Sequence, residues 1–126
     1  TFGFGRMQAD VATAQQKLTE ITGPPPRFFR PTAGLRNPLL DPVLARLDLK
    51  LASWTRRPYD TFEGNPQRIY ERLADQLAPG DVLLLHDGHA ALTAEGEPVI
   101  LAVLPRLLQT IAEHRLNPVT LSAALK

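Results

Sequence analysis

Four apolar residues in a row, Val82-Leu83-Leu84-Leu85, break directly into His86-Asp87-Gly88-His89. A continuous apolar run of this length reads as a strand buried on both faces, the pattern of a parallel sheet covered by helices. Parallel strands cannot be joined by tight hairpins, so this one run already demands crossover helices before and after it. In such folds the strand ends that open into loops are where chemistry sits. A histidine at that position suits proton transfer, metal ligation or hydrogen bonding to a ligand.

The rest of the chain supplies the crossovers. Met7, Val11, Ala14, Leu18 and Ile21 recur at helical spacing, and Gly23 with Pro24-Pro25-Pro26 ends that helix. Phe28-Phe29 predicts a short strand stopping at Arg30-Pro31. A short helix with the apolar face Leu40, Val43, Leu44 and Leu47 starts at Asn37-Pro38 or at Asp41-Pro42. Leu49 to Trp54 predicts a second strand, and a turn-rich loop runs from Thr55 to Asn65. Asn65-Pro66 caps a helix striped by Ile69, Leu73 and Leu77, and Pro79-Gly80 stops it. After the strand Asp81 to Leu85 and a loop from Asp87 to Gly96, a helix spans Pro98 to His114, with Pro105 as a kink or as its true start. Pro118 to Leu121 predicts a final strand. Helix and strand thus alternate four times, which predicts an α/β chain with a parallel sheet.

The 126 residues fit one domain. The net charge of +1, with arginines scattered along the chain, argues against a nucleic-acid surface. With no cysteine there is no disulfide, thiolate nucleophile or cysteine metal site, and the compartment stays undetermined. No apolar run is long enough to span a membrane. Phe2-Gly3-Phe4-Gly5 follows no strand and lacks the G-x-G-x-x-G spacing, so it makes no phosphate loop, and no serine sits in a G-x-S-x-G elbow.

Three strand ends carry polar chemistry: Arg30-Pro31-Thr32-Ala33-Gly34, then Trp54 leading to Asp60-Thr61, then His86-Asp87. Parallel strands bring such ends to one rim, so an arginine, a carboxylate and an imidazole are expected around one pocket. A carboxylate beside an imidazole favours its protonated form, which can donate to a leaving group. An arginine holds a carboxylate by a forked pair.

In this order the segments resemble the polysaccharide deacetylases of carbohydrate esterase family four, which act on chitin, chitooligosaccharides and peptidoglycan. Phe29-Arg30-Pro31-Thr32-Ala33-Gly34 resembles the family's F-R-P-P-Y-G motif, Ser53-Trp54 through Asp60-Thr61 its W…D-W segment, and Leu84-Leu85-His86-Asp87 its L-x-H-D motif. Leu104-Pro105-Arg106-Leu107-Leu108 to Pro118-Val119-Thr120-Leu121 is similar to its closing helix and strand. The resemblance implies that residues 1–126 form the C-terminal portion of a deacetylase catalytic domain, a partial (β/α) barrel that is roughly the second half of a distorted barrel. It implies metal-assisted hydrolysis of an N-acetyl group on a polysaccharide or sugar derivative, with Zn, Co or Mn in the intact family domain. His86 matches the general acid, Asp60 the residue that tunes it, and Arg30 the arginine that steadies the catalytic base. Trp54 and Leu84 match the pocket for the acetyl methyl, and Ala33 the position whose backbone N–H meets the oxyanion.

The chain departs from the family pattern at several points. Thr32 stands for Pro, Ala33 for Tyr and Thr61 for Trp. The family's Asp-Asp and His-x-x-x-His motifs, which supply the metal ligands and the base, have no counterpart here. We therefore expect no metal bound to this chain, little activity from it alone, and either a homo-oligomer or pairing with an N-terminal half. A truncated carbohydrate-binding or self-associating module is the alternative. A third possibility is an unrelated α/β hydrolytic domain using His86 and Asp87 directly. Simpler roles also stand beside each assignment: a structural histidine at His86, a turn-forming Asp60, an Arg30 paired to a helix, and a core Trp54. His89 fits a solvated loop, His114 a helix C-terminus, and Arg56-Arg57 a solvated pair.

Overall fold

A computed structural model describes residues 3–31 and 37–125. The chain divides into two compact units, Thr1–Ser53 and Trp54–Lys126. Thr32 and Ala33 lie outside the described residues.

In the first unit the predicted helix forms as α1 (Phe4–Thr22). It ends where Gly23 takes φ 92° and returns its N–H to the Thr19 carbonyl at 2.9 Å, a conformation that glycine adopts without steric cost. Two strands follow, β1 (Phe28–Phe29) and β2 (Lys50–Leu51), with α2 (Leu40–Arg46) between them. They pair in parallel, Phe28 with Lys50 and Phe29 with Leu51, so α2 serves as the crossover. Asn37 accepts the Leu39 N–H at 2.8 Å and forms the turn ahead of α2. Buried Leu40, Leu44 and Leu49 make the core, with Met7, Val11, Phe29, Leu47 and Leu51 packed around them. Gln15 fastens α1 to the end of α2 by donating to the Leu47 carbonyl at 3.0 Å. The apolar stripe of α1 is only half used within this unit, since Leu18 is 48% and Ile21 80% exposed.

The second unit is built on α3 (Pro66–Ala74) and α4 (Val99–Glu113). Asn65 caps α3 by accepting the Gln67 N–H at 3.0 Å, and Pro66 occupies the first turn. Ile69 and Leu73 of α3 meet Val99, Val103 and Leu107 of α4 in one buried cluster, edged by Leu83, Leu85, Ala91 and Ile111. Each such aliphatic stabilises the fold by about 1.5–3 kcal/mol when taken out of water. The helical spacing of Val99, Val103, Leu104, Leu107, Leu108 and Ile111 predicts the inward face of α4, and all but Leu108, which is 48% exposed, are at least half-buried. Helix α4 runs through Pro105 unbroken. The carbonyl that Pro105 leaves without an i+4 donor belongs to Leu101, on the exposed side of the helix.

The strand content is lower than the sequence predicts. The run Val82–Leu85 is extended, yet it pairs through a single parallel bridge, Arg56 with Leu83. The bonds there are Thr55 N–H to Val82 O at 2.8 Å and Leu84 N–H to Arg56 O at 3.1 Å. Of the run only Leu84 is buried. Its partner segment turns away at Pro58, which ends the ladder because proline has no N–H to give. Leu49 to Trp54 likewise pairs only at Lys50–Leu51. The predicted strand at Pro118–Leu121 is absent, and α5 (Leu121–Ala124) begins there instead. Thr120 accepts the Ala123 N–H at 3.2 Å as its N-cap, so the capping pattern outweighs the β-propensity of Val119 and Thr120.

Helix α3 also ends early. Ala74 is its last residue, ahead of Pro79-Gly80. The connection back to Val82 is closed by Arg56, which donates to the carbonyls of Asp75 and, at 3.0 Å, Gln76, and pairs with Asp81 at 3.2 Å. Arg56 is therefore a structural clamp and not half of a solvated pair. Arg57 is exposed, with its guanidinium 4.9 Å from the centroid of the Tyr59 ring.

Candidate active site

Within the second unit the loop after the Trp54 segment and the loop after Leu85 meet at one hydrogen-bonded pair. Asp60 is fully buried. Its Oδ1 lies 2.8 Å from His86 Nδ1, and its Oδ2 accepts the His86 backbone N–H at 2.7 Å. A carboxylate has acceptors only, so the His86 Nδ1 carries the hydrogen in this contact. The other ring nitrogen, Nε2, is then the one left to exchange protons. The His86 side chain is 37% exposed, so the ring is held at its rear and open at its front.

The backbone makes this contact possible. Tyr59 takes φ 61°, the left-handed region that a bulky side chain rarely occupies. Its carbonyl accepts the N–H groups of Phe62 at 3.2 Å and Glu63 at 2.9 Å, closing a turn around Asp60. The Asp60 carbonyl accepts the Ala91 N–H at 2.8 Å. Gly64 packs so tightly that a Cβ there would lie 2.5 Å from the Leu92 carbonyl oxygen. The carboxylate that the sequence offers as a possible turn former thus turns inward to the histidine.

The other sequence-derived positions are distributed as follows. Leu84 is buried, two residues before His86. Trp54 is half-buried, with Arg57 stacked on its ring at 5.8 Å. Arg30 follows β1 in the first unit and is exposed, and Ala33 lies outside the described residues. Asp87 and His89 are exposed. His86 is bonded to Asp60 and not to its sequence neighbour, which removes the basis for a His86–Asp87 pair. His114 ends α4 with Nδ1 donating to the Thr110 carbonyl at 2.8 Å, a structural role.

Sequence reasoning passed over Tyr59 and Arg72. No periodicity marks a left-handed residue, and an arginine on a polar helix face gives no signal. Arg72 on α3 donates to the Pro58 carbonyl at 2.9 Å and to Glu63 Oε1 at 3.2 Å, and its guanidinium sits 5.4 Å from the Tyr59 centroid. Arg57, Tyr59 and Arg72 line an open groove of about 850 Å³ that neither Asp60 nor His86 borders.

Among the described residues no group of three or more His, Asp or Glu side chains is placed to hold a metal ion. The described residues of this chain therefore supply no site for the metal that the family resemblance implies.

In this α/β chain a loop carboxylate thus orients a loop imidazole. The chain is similar to a solved structure, the family 4 carbohydrate esterase from Streptomyces lividans in complex with acetate. It superposes with a TM-score of 0.81 at 27% identity, covering 98% of this chain and 60% of that one. That structure belongs to the same family that the sequence motifs resemble. The chain spans 60% of that esterase's length. No protein-family model matches the chain, and no curated protein matches it significantly.

Proposed function

We propose that this chain carries the proton-donating half of a carbohydrate deacetylase site, acting on an N-acetylated sugar or polysaccharide. The Asp60–His86 contact carries the assignment. Asp60 fixes the ring orientation and keeps a hydrogen on Nδ1, so Nε2 faces outward as the donor to the departing amine. An amine is a poor leaving group until it is protonated, and a positioned acid of this kind contributes typically 10²–10⁴-fold. The family resemblance assigns Trp54 and Leu84 to the pocket for the acetyl methyl, the Ala33 position to the oxyanion N–H and Arg30 to steadying the base. In this reading the chain corresponds to roughly the second half of a deacetylase barrel, without the half that would hold a divalent ion. The described residues do not supply that half of the site.

Acetate release from N-acetylglucosamine oligomers with Zn²⁺, Co²⁺ or Mn²⁺ tests the proposal. It is measured for the 126-residue chain and for the chain joined to the part of the S. lividans esterase that it does not cover. Release is expected from the joined protein only, and His86→Ala is expected to slow it by about 100-fold or more. Robust turnover by the chain alone contradicts the division of labour. Undiminished turnover by the His86→Ala joined protein contradicts the assignment of the acid.

A second role, a self-associating module, is favoured by the exposure of Ile21 and Leu18 on α1. Sedimentation of the chain decides it, since a monomer at micromolar concentration excludes that role.

A further inference from the structure

We propose that Arg72 is a positioning residue for the proton donor, one that acts on His86 through Asp60. The inference rests on the proposed function for its meaning, and on its own geometry for its truth. One guanidinium spans both ends of the segment that delivers the carboxylate. It donates to the Pro58 carbonyl at 2.9 Å on the near side and to Glu63 at 3.2 Å on the far side. Between them its face lies 5.4 Å from the centroid of Tyr59, the residue whose φ of 61° makes the turn. Asp60 is the next residue, and both its carboxylate oxygens are committed to His86.

A left-handed tyrosine persists only where its surroundings overdetermine it. Three contacts from one rigid planar group do that here. A flexible ammonium cannot reproduce them, because it lacks the fork that reaches two acceptors while stacking on a ring. Arg68, one turn earlier on α3, provides the comparison. It reaches Glu63 at 3.7 Å and has no described contact with Pro58 or Tyr59. Without Arg72 the turn from Pro58 to Glu63 relaxes, Asp60 withdraws from the imidazole, and Nδ1 loses its acceptor.

The test reads the His86 ring directly. In the ¹⁵N-labelled chain, long-range ¹H–¹⁵N spectra at alkaline pH report which ring nitrogen of the neutral imidazole is protonated. Wild type is expected to show the Nδ1–H tautomer. Arg72→Ala is expected to move the tautomer ratio by at least about tenfold toward Nε2–H, the form favoured without a partner on Nδ1. Arg72→Lys moves it part of the way, and Arg68→Ala leaves it unchanged. A general loss of stability does not select one tautomer, so the ratio separates positioning from mere support. Retention of the wild-type ratio in Arg72→Ala overturns the inference. If Arg72→Ala does not fold, Arg72→Lys decides: a shift supports the inference and a wild-type ratio overturns it. A wild-type His86 already in the Nε2–H form overturns the Asp60–His86 contact itself, and with it the proposed function. A wild-type Nδ1–H form that survives Arg72→Ala overturns only the role of Arg72.

Discussion

Asp60 grips His86 at two points, ring Nδ1 at 2.8 Å and backbone N–H at 2.7 Å, across 26 residues of sequence. The double contact fixes both the place of the histidine backbone and the direction of its ring. The carboxylate is fully buried, so its removal strands the two donors it satisfies. Asp60→Ala is expected to cost about 2–3 kcal/mol, from an unsatisfied N–H and a lost charge-assisted bond. Trp54, the single tryptophan, lies in the same unit and reports urea unfolding by its fluorescence. A loss below about 0.5 kcal/mol, the range of ordinary surface substitutions, contradicts the burial and pairing described.

Tyr59 isolates a backbone effect. Tyr59→Gly and Tyr59→Ala both remove the ring and its contacts with Arg57 and Arg72, but only glycine adopts φ 61° freely. The glycine variant is expected to be the more stable of the two by about 1 kcal/mol. Equal stabilities indicate that the turn does not hold a left-handed residue.

Gly64 is constrained by space and not by φ. An added Cβ would meet the Leu92 backbone oxygen at 2.5 Å, and a backbone atom cannot swing aside as a side-chain end does. Gly64→Ala is expected to cost about 1–3 kcal/mol and to perturb the amide of Ala91, which donates to the Asp60 carbonyl at 2.8 Å. Chemical-shift mapping that leaves the amides of residues 91 and 92 unmoved contradicts this contact.

Asp81 makes the second unit sensitive to acid. Its carboxyl is held below the ordinary carboxylate value of 3.8 by the Ala78 N–H first, then by the Thr55 hydroxyl and Arg56. Because the folded value is the lower one, the unfolded chain takes up the proton more readily. The stabilisation is fully present above the unfolded value and is lost as pH falls through the folded one. Unfolding midpoints are expected to drop below about pH 4, and Asp81→Asn removes this group's share of the drop. An identical acid profile in Asp81→Asn contradicts the role assigned to this carboxyl.

The sequence was most legible where local rules decide. The cap at Asn65, the glycine stop at Gly23 and the stripe Ile69, Leu73, Val99, Val103 and Leu107 all stand where periodicity and capping place them. Strand extent was legible only in part. Pairing depends on a neighbour, and the partner of Val82–Leu85 ends at Pro58. The segment Pro118–Leu121 was misjudged because one threonine cap redirects four residues into a helix turn. His86 and Asp60 were singled out by the motifs, and the structure brings them into contact, whereas Tyr59 and Arg72 beside them gave no signal. A positive φ and a three-way guanidinium contact are properties of the folded chain alone.

The most direct measurement compares two leaving groups in the folded joined protein with and without His86→Ala. An N-acetyl sugar releases an amine that must be protonated, while 4-nitrophenyl acetate releases a phenolate that leaves without a proton. If His86 is the general acid, His86→Ala slows acetate release from the amide by about 100-fold or more and leaves the aryl ester within about tenfold of wild type. Equal losses on both substrates contradict the assignment of proton donation to His86.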